Sequence, residues 1–338
     1  MSLFLLPVVI SVFCPFLAHA KSNCASNDQA FSDLGEWSKS VTDVFLDQVI
    51  ERLRAKGFVC LDVRGEPDSA RRCVGRIPGY SKKVAVYIPV HYQPGQRDPG
   101  MITHFQGHSV DSTFEHTLAR YRLGNELHRS GMNKLLVVPE STGRCDTYRA
   151  ELLTGAQFEG FQGRLQDLFQ EVGLFAKDPE LGTVTREITG HSGAYYPIGN
   201  ILRSACGVPG PVLLDGRCLQ VKQVALFDAT YCSAGNLSAR VPEGSFNENT
   251  ACQGLRSFAA AHSPKLRSYF RDPSGTSTGS RLILPKADPE KEALGGACTG
   301  RVPVPSSVPH LNVMTGRYAE AISEDFSESC ILPFVEVK

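Results

Sequence analysis

The chain has 338 residues, with 35 Lys plus Arg balanced by 35 Asp plus Glu and an isoelectric point near 7.1. That balance leaves no net field to draw the protein onto nucleic acid or an anionic membrane surface, which disfavours functions built on polyanion binding. The length suits one large α/β domain or two smaller ones, and either would bury a substantial core.

Leu3 to Leu17 form an apolar run leading into Ala18-His19-Ala20, a small-x-small site before Lys21. Residues 1–20 therefore read as a cleaved secretory signal. The run is shorter than the roughly 18 to 20 residues needed to span a bilayer, and no other segment is apolar enough to cross. Residues 21–80 read as a polar leader, one helix and the first strands, and residues 81–338 as the core. Cys14 lies in the signal and ten of the 11 cysteines follow it. This even count fits disulfides in an oxidising, secreted or periplasmic setting. Cys60/Cys73, Cys206/Cys218 and Cys232/Cys252 are close enough to bridge locally, although spacing alone leaves the pairing open. No Cys-x-x-Cys or paired Cys/His spacing points to zinc. Asn236-Leu237-Ser238 is a glycosylation acceptor if the host glycosylates.

From Ser40 the apolar residues Val41, Val44, Phe45, Val49, Ile50 and Leu53 recur at helical spacing, and Gly57 marks a stop. Strands are expected at Phe58 to Val63 and Lys83 to Val90 with turn chemistry between them, an antiparallel opening of a sheet. Met101 to Phe105 and Lys134 to Val138 read as short apolar strands, with one helix between them over Ser112 to Ser130. A second helix is expected over Phe158 to Val172, with Phe161, Leu165, Leu168 and Phe169 on one face. Strands at Thr185 to Thr189 and Val221 to Phe227 follow, then a helix at Leu255 to His262, a strand at Lys265 to Phe270 and a polar loop at Ser274 to Ser280. A Pro-rich strand near Arg301 to Val304 and a helix from Gly316 to Phe326 close the chain. Strands alternating with helices predict an α/β fold, a mostly parallel sheet with helices on both faces. Segments 206–218 and 233–249 read as loop insertions in one domain.

In such a sheet, chemistry gathers at the carboxyl ends of the strands. Gly190-His191-Ser192-Gly193-Ala194 ends one strand: a serine among small residues at a strand-to-helix turn has its hydroxyl lifted clear of the sheet. The bland reading is a tight turn with a serine helix cap. Asp228 ends the next strand, and a carboxylate abutting Val224-Ala225-Leu226-Phe227 requires a partner. His310 follows late in the chain. A serine hydroxyl needs an imidazole to take its proton and a carboxylate to orient that imidazole, so Ser192, Asp228 and His310 supply the parts for acyl transfer. Asp272, one strand beyond Asp228, is the alternate acid, although Arg271-Asp272-Pro273-Ser274-Gly275 is also ordinary turn composition. Ser109, in a second Gly-His-Ser, precedes the bulky Val110 and reads as a loop or cap residue. His104 and His108 are four apart but fall in a strand and a turn with no intervening Glu, which disfavours a metal pair.

The elbow at Ser192, the acid ending a later strand, the late histidine and a Gly-containing break after an early strand resemble an α/β-hydrolase over roughly Lys83 to Phe326, closest to secreted bacterial members of esterase or peptidase type. The resemblance implies that the N–H of Gly193 is one oxyanion donor. It places the other in Phe105-Gln106-Gly107-His108, on the backbone of His108, with Gln106 where the family usually has His. It also implies the chain order serine, acid, histidine, which selects His310 over His262. The expected function is a secreted serine hydrolase that cleaves a small-molecule or peptide carboxylic ester, or an amide, through an acyl-enzyme on Ser192, with no cofactor and no metal. Two alternatives stand beside it. One is a non-catalytic binding protein on a hydrolase scaffold, motivated by Ala194 and Gln106; the other is a disulfide-rich interaction module in which Ser192 is merely a cap.

Overall fold

The computed structural model describes residues 44–62, 70–94, 100–107, 113–141, 148, 151–176, 186–206, 221–261, 265–284 and 299–323. The expected signal and leader, His108, Ser109 and Cys218 lie outside them. The chain divides into compact units at 1–47 and 48–338. Of the first, residues 44–47 are described and helical; all that follows concerns the second.

Helix α1 (48–55) buries Val49, Ile50 and Leu53 and ends at Gly57, whose φ of +85° a side chain would disfavour. A nine-stranded sheet follows: β1 (Val59–Asp62), β2 (Ala70–Gly75), β3 (Val84–Pro89), β4 (Gly100–Phe105), β5 (Lys134–Pro139), β6 (Arg186–His191), β7 (Val221–Phe227), β8 (Leu266–Asp272) and β9 (Arg301–Pro305). Their order is β1-β2-β3-β5-β4-β6-β7-β8-β9. The opening pairs are antiparallel through β3 and β5, and every later pair is parallel. All residues of β3, β4 and β5 are buried, as expected for strands covered on both faces. Strand β2 lies in the stretch read as a turn. Its Arg71 and Arg72 dilute the apolar signal, and its place is fixed by pairing with β1 and β3. Cys60 and Cys73 are directly opposed on β1 and β2 and form a disulfide. A second, Cys232–Cys252, joins the segment after β7 to a later helix.

One face of the sheet is covered by α2 (Phe114–Tyr121), α3 (Leu123–Arg129) and α9 (His310–Ser323), which meet Tyr87, Ile102, Val138 and Phe227 in one apolar cluster. The other face carries α4 (Gly155–Val172), α5 (Tyr195–Cys206) and α7 (Glu248–Ala261), with α5 packed between its neighbours. The short helix α6 (Ala234–Ser238) lies within the expected loop insertion, and α8 (Gly275–Ile283) follows β8.

Three expectations need correction. The single helix over Ser112 to Ser130 is two, broken at Arg122 with φ of 49°. At about 100° per residue, Leu123 and Leu127 would fall opposite the Phe114/Leu118/Tyr121 stripe of a continuous helix. The break rephases the chain so that both sets reach the core. The polar loop at Ser274 to Ser280 is largely helix α8, capped by Ser274, whose hydroxyl accepts from the Ser277 N–H. Its inward residues Thr276, Ser277 and Ser280 are hydroxyl-bearing, so it lacks the apolar stripe by which helices are read. The last helix starts at His310, not Gly316. Pro309 supplies the carbonyl that receives the first helical N–H groups, and a glycine inside a helix costs only about 1 kcal/mol.

No helix among the described residues is long and apolar enough to cross a membrane.

Candidate active site

Strands β6, β7, β8 and β9 run parallel, so their carboxyl ends share one edge of the sheet. His191 pairs with Phe227 at the end of the β6/β7 register, which sets Ser192 and Asp228 as the residues that leave the two strands. Both have left-handed backbone, φ 56° at Ser192 and 45° at Asp228, two of three such non-glycine residues among those described. A positive φ is costly for a residue with a Cβ and persists where the surroundings enforce it. At Ser192 it produces the sharp reversal from β6 into a short 3-10 turn, Ser192–Ala194, and then α5.

The small residues around Ser192 have specific reasons. A Cβ on Gly190 would lie 2.5 Å from Ile198 Cδ1 and 2.7 Å from Ala194 Cβ. The bare Gly190 thereby leaves space for the side chain of Ala194, the elbow's departure from a second closing glycine. A Cβ on Gly107 would lie 2.4 Å from Ser192 Cβ and 2.6 Å from the His191 carbonyl. The loop leaving β4 therefore runs directly against the Ser192 turn. Gln106 anchors that loop by donating to the Ser141 carbonyl at 3.0 Å.

Asp228 is completely buried, and its carboxylate is saturated with donors. His310 Nδ1 is 2.5 Å from Oδ2, and Arg271 Nε donates to the same oxygen at 2.6 Å. Thr276 Oγ1 donates to Oδ1, and the Arg271 N–H lies 3.5 Å from it. Burial alone would raise this carboxyl. The hydrogen bonds from His310, Thr276 and Arg271 outweigh it and hold the group at about 2, an ionised acid. Because the carboxylate only accepts, His310 Nδ1 carries the hydrogen, which leaves Nε2 of a neutral imidazole as its basic atom. The alternate acid, Asp272, accepts instead from Arg281 at 2.8 Å. The structure thus brings His310 to Asp228 and not to Asp272, and sets Ser192 and Gly193 on the adjacent strand end.

Sequence reasoning missed three neighbours of this cluster. Thr276 was hidden in what read as a loop, and Arg271 in what read as turn composition. The third is His191, whose Nε2 lies 3.3 Å from the His310 carbonyl and whose ring centroid is 4.4 Å from that of His310. Tyr121 Oη lies 3.2 Å from His191 Nδ1. Burial, and after it the nearby His310, pushes the His191 imidazole down to about 3. The signal for His191 was its place in the elbow, one residue before Ser192. Among the described residues no group of three or more His, Cys, Asp or Glu side chains is arranged to hold a metal ion.

No protein-family model matches the chain, and no curated protein matches it. Similar solved structures include an S-formylglutathione hydrolase from Agrobacterium tumefaciens, at 12% identity, covering 79% of this chain and 98% of that one, with a TM-score of 0.46. A feruloyl esterase module from Clostridium thermocellum in complex with sinapinate aligns at 12% identity over 80% of this chain and 94% of its own, with a TM-score of 0.46. Esterase B from Lactobacillus rhamnosis aligns at 11% identity over 86% of this chain and 100% of its own, with a TM-score of 0.41. The sheet order and the left-handed turn at Ser192 define the architecture of the chain itself, an α/β fold with a mostly parallel sheet covered by helices on both faces.

Proposed function

We propose that the protein is a serine hydrolase acting on carboxylic esters, and secondarily on amides, through an acyl-enzyme on Ser192. The observation that carries this reading is the Asp228–His310 hydrogen bond at the sheet edge where Ser192 leaves β6 in a left-handed turn. His310 Nε2 takes the Ser192 hydroxyl proton as Oγ attacks the ester carbonyl carbon, and Asp228 stabilises the imidazolium. The N–H of Gly193 meets the oxyanion, and the second donor expected from the sequence, the backbone N–H of His108, lies outside the described residues. Collapse breaks the bond to the leaving oxygen, which takes the proton from His310. Water, deprotonated by His310 in turn, attacks the acyl-enzyme and releases the acid and free Ser192. The chemistry balances with no cofactor. The expected signal at 1–20 and the disulfides Cys60–Cys73 and Cys232–Cys252 support action outside the reducing cytosol.

A fluorophosphonate probe followed by peptide mass mapping tests the reading, alongside turnover of p-nitrophenyl acetate. Label is expected on Ser192, and Ser192→Ala is expected to lose about 10⁴-fold or more in kcat. An unlabelled Ser192 in a wild type without ester turnover would instead support a binding protein on a hydrolase scaffold, and a variant that keeps more than a tenth of wild-type turnover would remove Ser192 as the nucleophile.

A further inference from the structure

Strand β6 does two jobs with its two faces. Gly190 faces α5, while Glu187, Thr189 and His191 alternate with it and face α9, the helix whose first residue is His310. Three polar residues on one face of a fully covered strand are an expensive choice where apolar ones would fill the space. Each reaches α9. Thr189 Oγ1 lies 2.9 Å from Tyr318 Oη. Glu187 is ion-paired at 2.7 Å with Lys134, which also donates to the Ile322 carbonyl at 2.7 Å. His191 meets the His310 carbonyl and the His310 ring. Apolar contacts tolerate sliding; directional bonds at residues 310 and 318 from β6 and at 322 from Lys134 of β5 fix the helix in register against the sheet.

We propose that His191, backed by Tyr121, is a positioning residue for His310: it fixes the backbone at His310 and braces the face of its ring, holding the imidazole on Asp228. This inference rests on the serine hydrolase reading above. The direction of the hydrogen bonds follows from the groups present. A carbonyl oxygen only accepts, so His191 Nε2 must carry the hydrogen that points at His310. Nδ1 is then bare and must accept, which makes the Tyr121 hydroxyl its donor. Tyr121 thereby selects the tautomer on which the contact to His310 depends. His191 also stays uncharged at neutral pH, so its ring adds no second positive charge beside the imidazolium that forms on His310 during turnover. The leverage is short: His191 is bonded directly to Ser192 and touches His310, so its loss displaces the nucleophile and the base relative to each other.

The test measures kcat and KM for p-nitrophenyl acetate, fluorophosphonate labelling rate and thermal midpoint in wild type, His191→Leu, His191→Gln and Tyr121→Phe. Leu keeps apolar bulk without a donor, and Gln returns an N–H near the position of Nε2. His191→Leu is expected to lose about 10²-fold in kcat with KM within about threefold, and to label at a correspondingly lower rate. His191→Gln is expected to recover most of that loss, and Tyr121→Phe to lower kcat by about three- to tenfold. A role only in folding predicts instead a lowered midpoint with normal kcat in the folded fraction, and no rescue by Gln. Wild-type kcat in His191→Leu overturns the proposal. If that variant does not fold, wild-type kcat in Tyr121→Phe, or a loss of about 10²-fold or more in a folded His191→Gln, overturns it. A wild-type protein that neither turns over ester nor labels at Ser192 removes the hydrolase reading and this inference together; an active wild type with indifferent variants removes only the inference.

Discussion

Strands β7 and β8 are parallel neighbours, and each delivers an aspartate to the same edge of the sheet. The two carboxylates have different surroundings. Asp228 is fully buried, left-handed in backbone and met by His310, Arg271 and Thr276. Asp272 keeps 33% of its side chain exposed and is paired with Arg281, itself 56% exposed. Adjacent strand residues point to opposite faces, so β8 turns Arg271 toward Asp228 and Asp272 away from it. The strand end supplies only an address. A buried carboxylate stays ionised only where donors converge on it, and the donors here come from α8, β8 and α9, elements distant in sequence.

The comparison breaks most sharply at Asp228. Replacing it with Asn keeps the shape, removes the charge that the proposed mechanism sets against the imidazolium and allows the amide to disturb the His310 tautomer. We expect Asp228→Asn to lose about 10³- to 10⁴-fold in kcat on p-nitrophenyl acetate while remaining folded by circular dichroism. A loss below tenfold would remove Asp228 from the acid's role.

Acid separates the Asp228 cluster from the polar seam beneath it. Burial, with a smaller contribution from its neighbour His191, pushes the His104 imidazole down to about 3, as burial does for His191. Both stay neutral in the folded protein while the unfolded chain takes up protons below the ordinary value of 6.5. Their contribution to stability is therefore complete above pH 6.5 and falls by about 1.4 kcal/mol per pH unit per histidine as pH drops toward 3. Asp228 is depressed from 3.8 to about 2, so its contribution is intact above pH 3.8 and is lost only below it. Urea unfolding is thus expected to show a loss of roughly 2 kcal/mol per histidine between pH 7 and pH 5. In His104→Gln about half of this pH dependence should vanish; an unchanged slope would mean that His104 is not held neutral by burial.

The same contrast explains what could be read from the chain. The central strands were legible because strands covered on both faces are continuous apolar runs, as Val84 to Ile88 and Leu135 to Val138 are. Ser192 was legible because a sharp turn demands small neighbours, which Gly190 supplies for reasons of contact. Strand β2 was not, since Arg71 and Arg72 are positioned by pairing rather than by apolar alternation. Helix α8 was also hidden, because a helix that buries Thr276 and Ser280 to serve Asp228 and Ser268 has the composition of a loop. Its dedication to the site is what obscured it. Asp228 and Asp272 could not be separated by their local sequence, because what distinguishes them is the converging set of donors, a tertiary property.

The smallest expected effect completes the comparison. Asp272→Asn removes one charge of an exposed ion pair, and such pairs contribute between zero and about 1 kcal/mol because water screens them and two long side chains must be ordered to form them. The Asn oxygen still accepts from Arg281, and Pro273 and the Ser274 cap of α8 are untouched. Turnover should stay within about twofold of wild type and the unfolding free energy within roughly 0.5 kcal/mol. The result gains force beside Asp228→Asn. If Asp272→Asn lowered kcat more than tenfold while Asp228→Asn did not, the acid would have to come from β8, and the donors gathered on Asp228 would serve only to keep a buried charge satisfied.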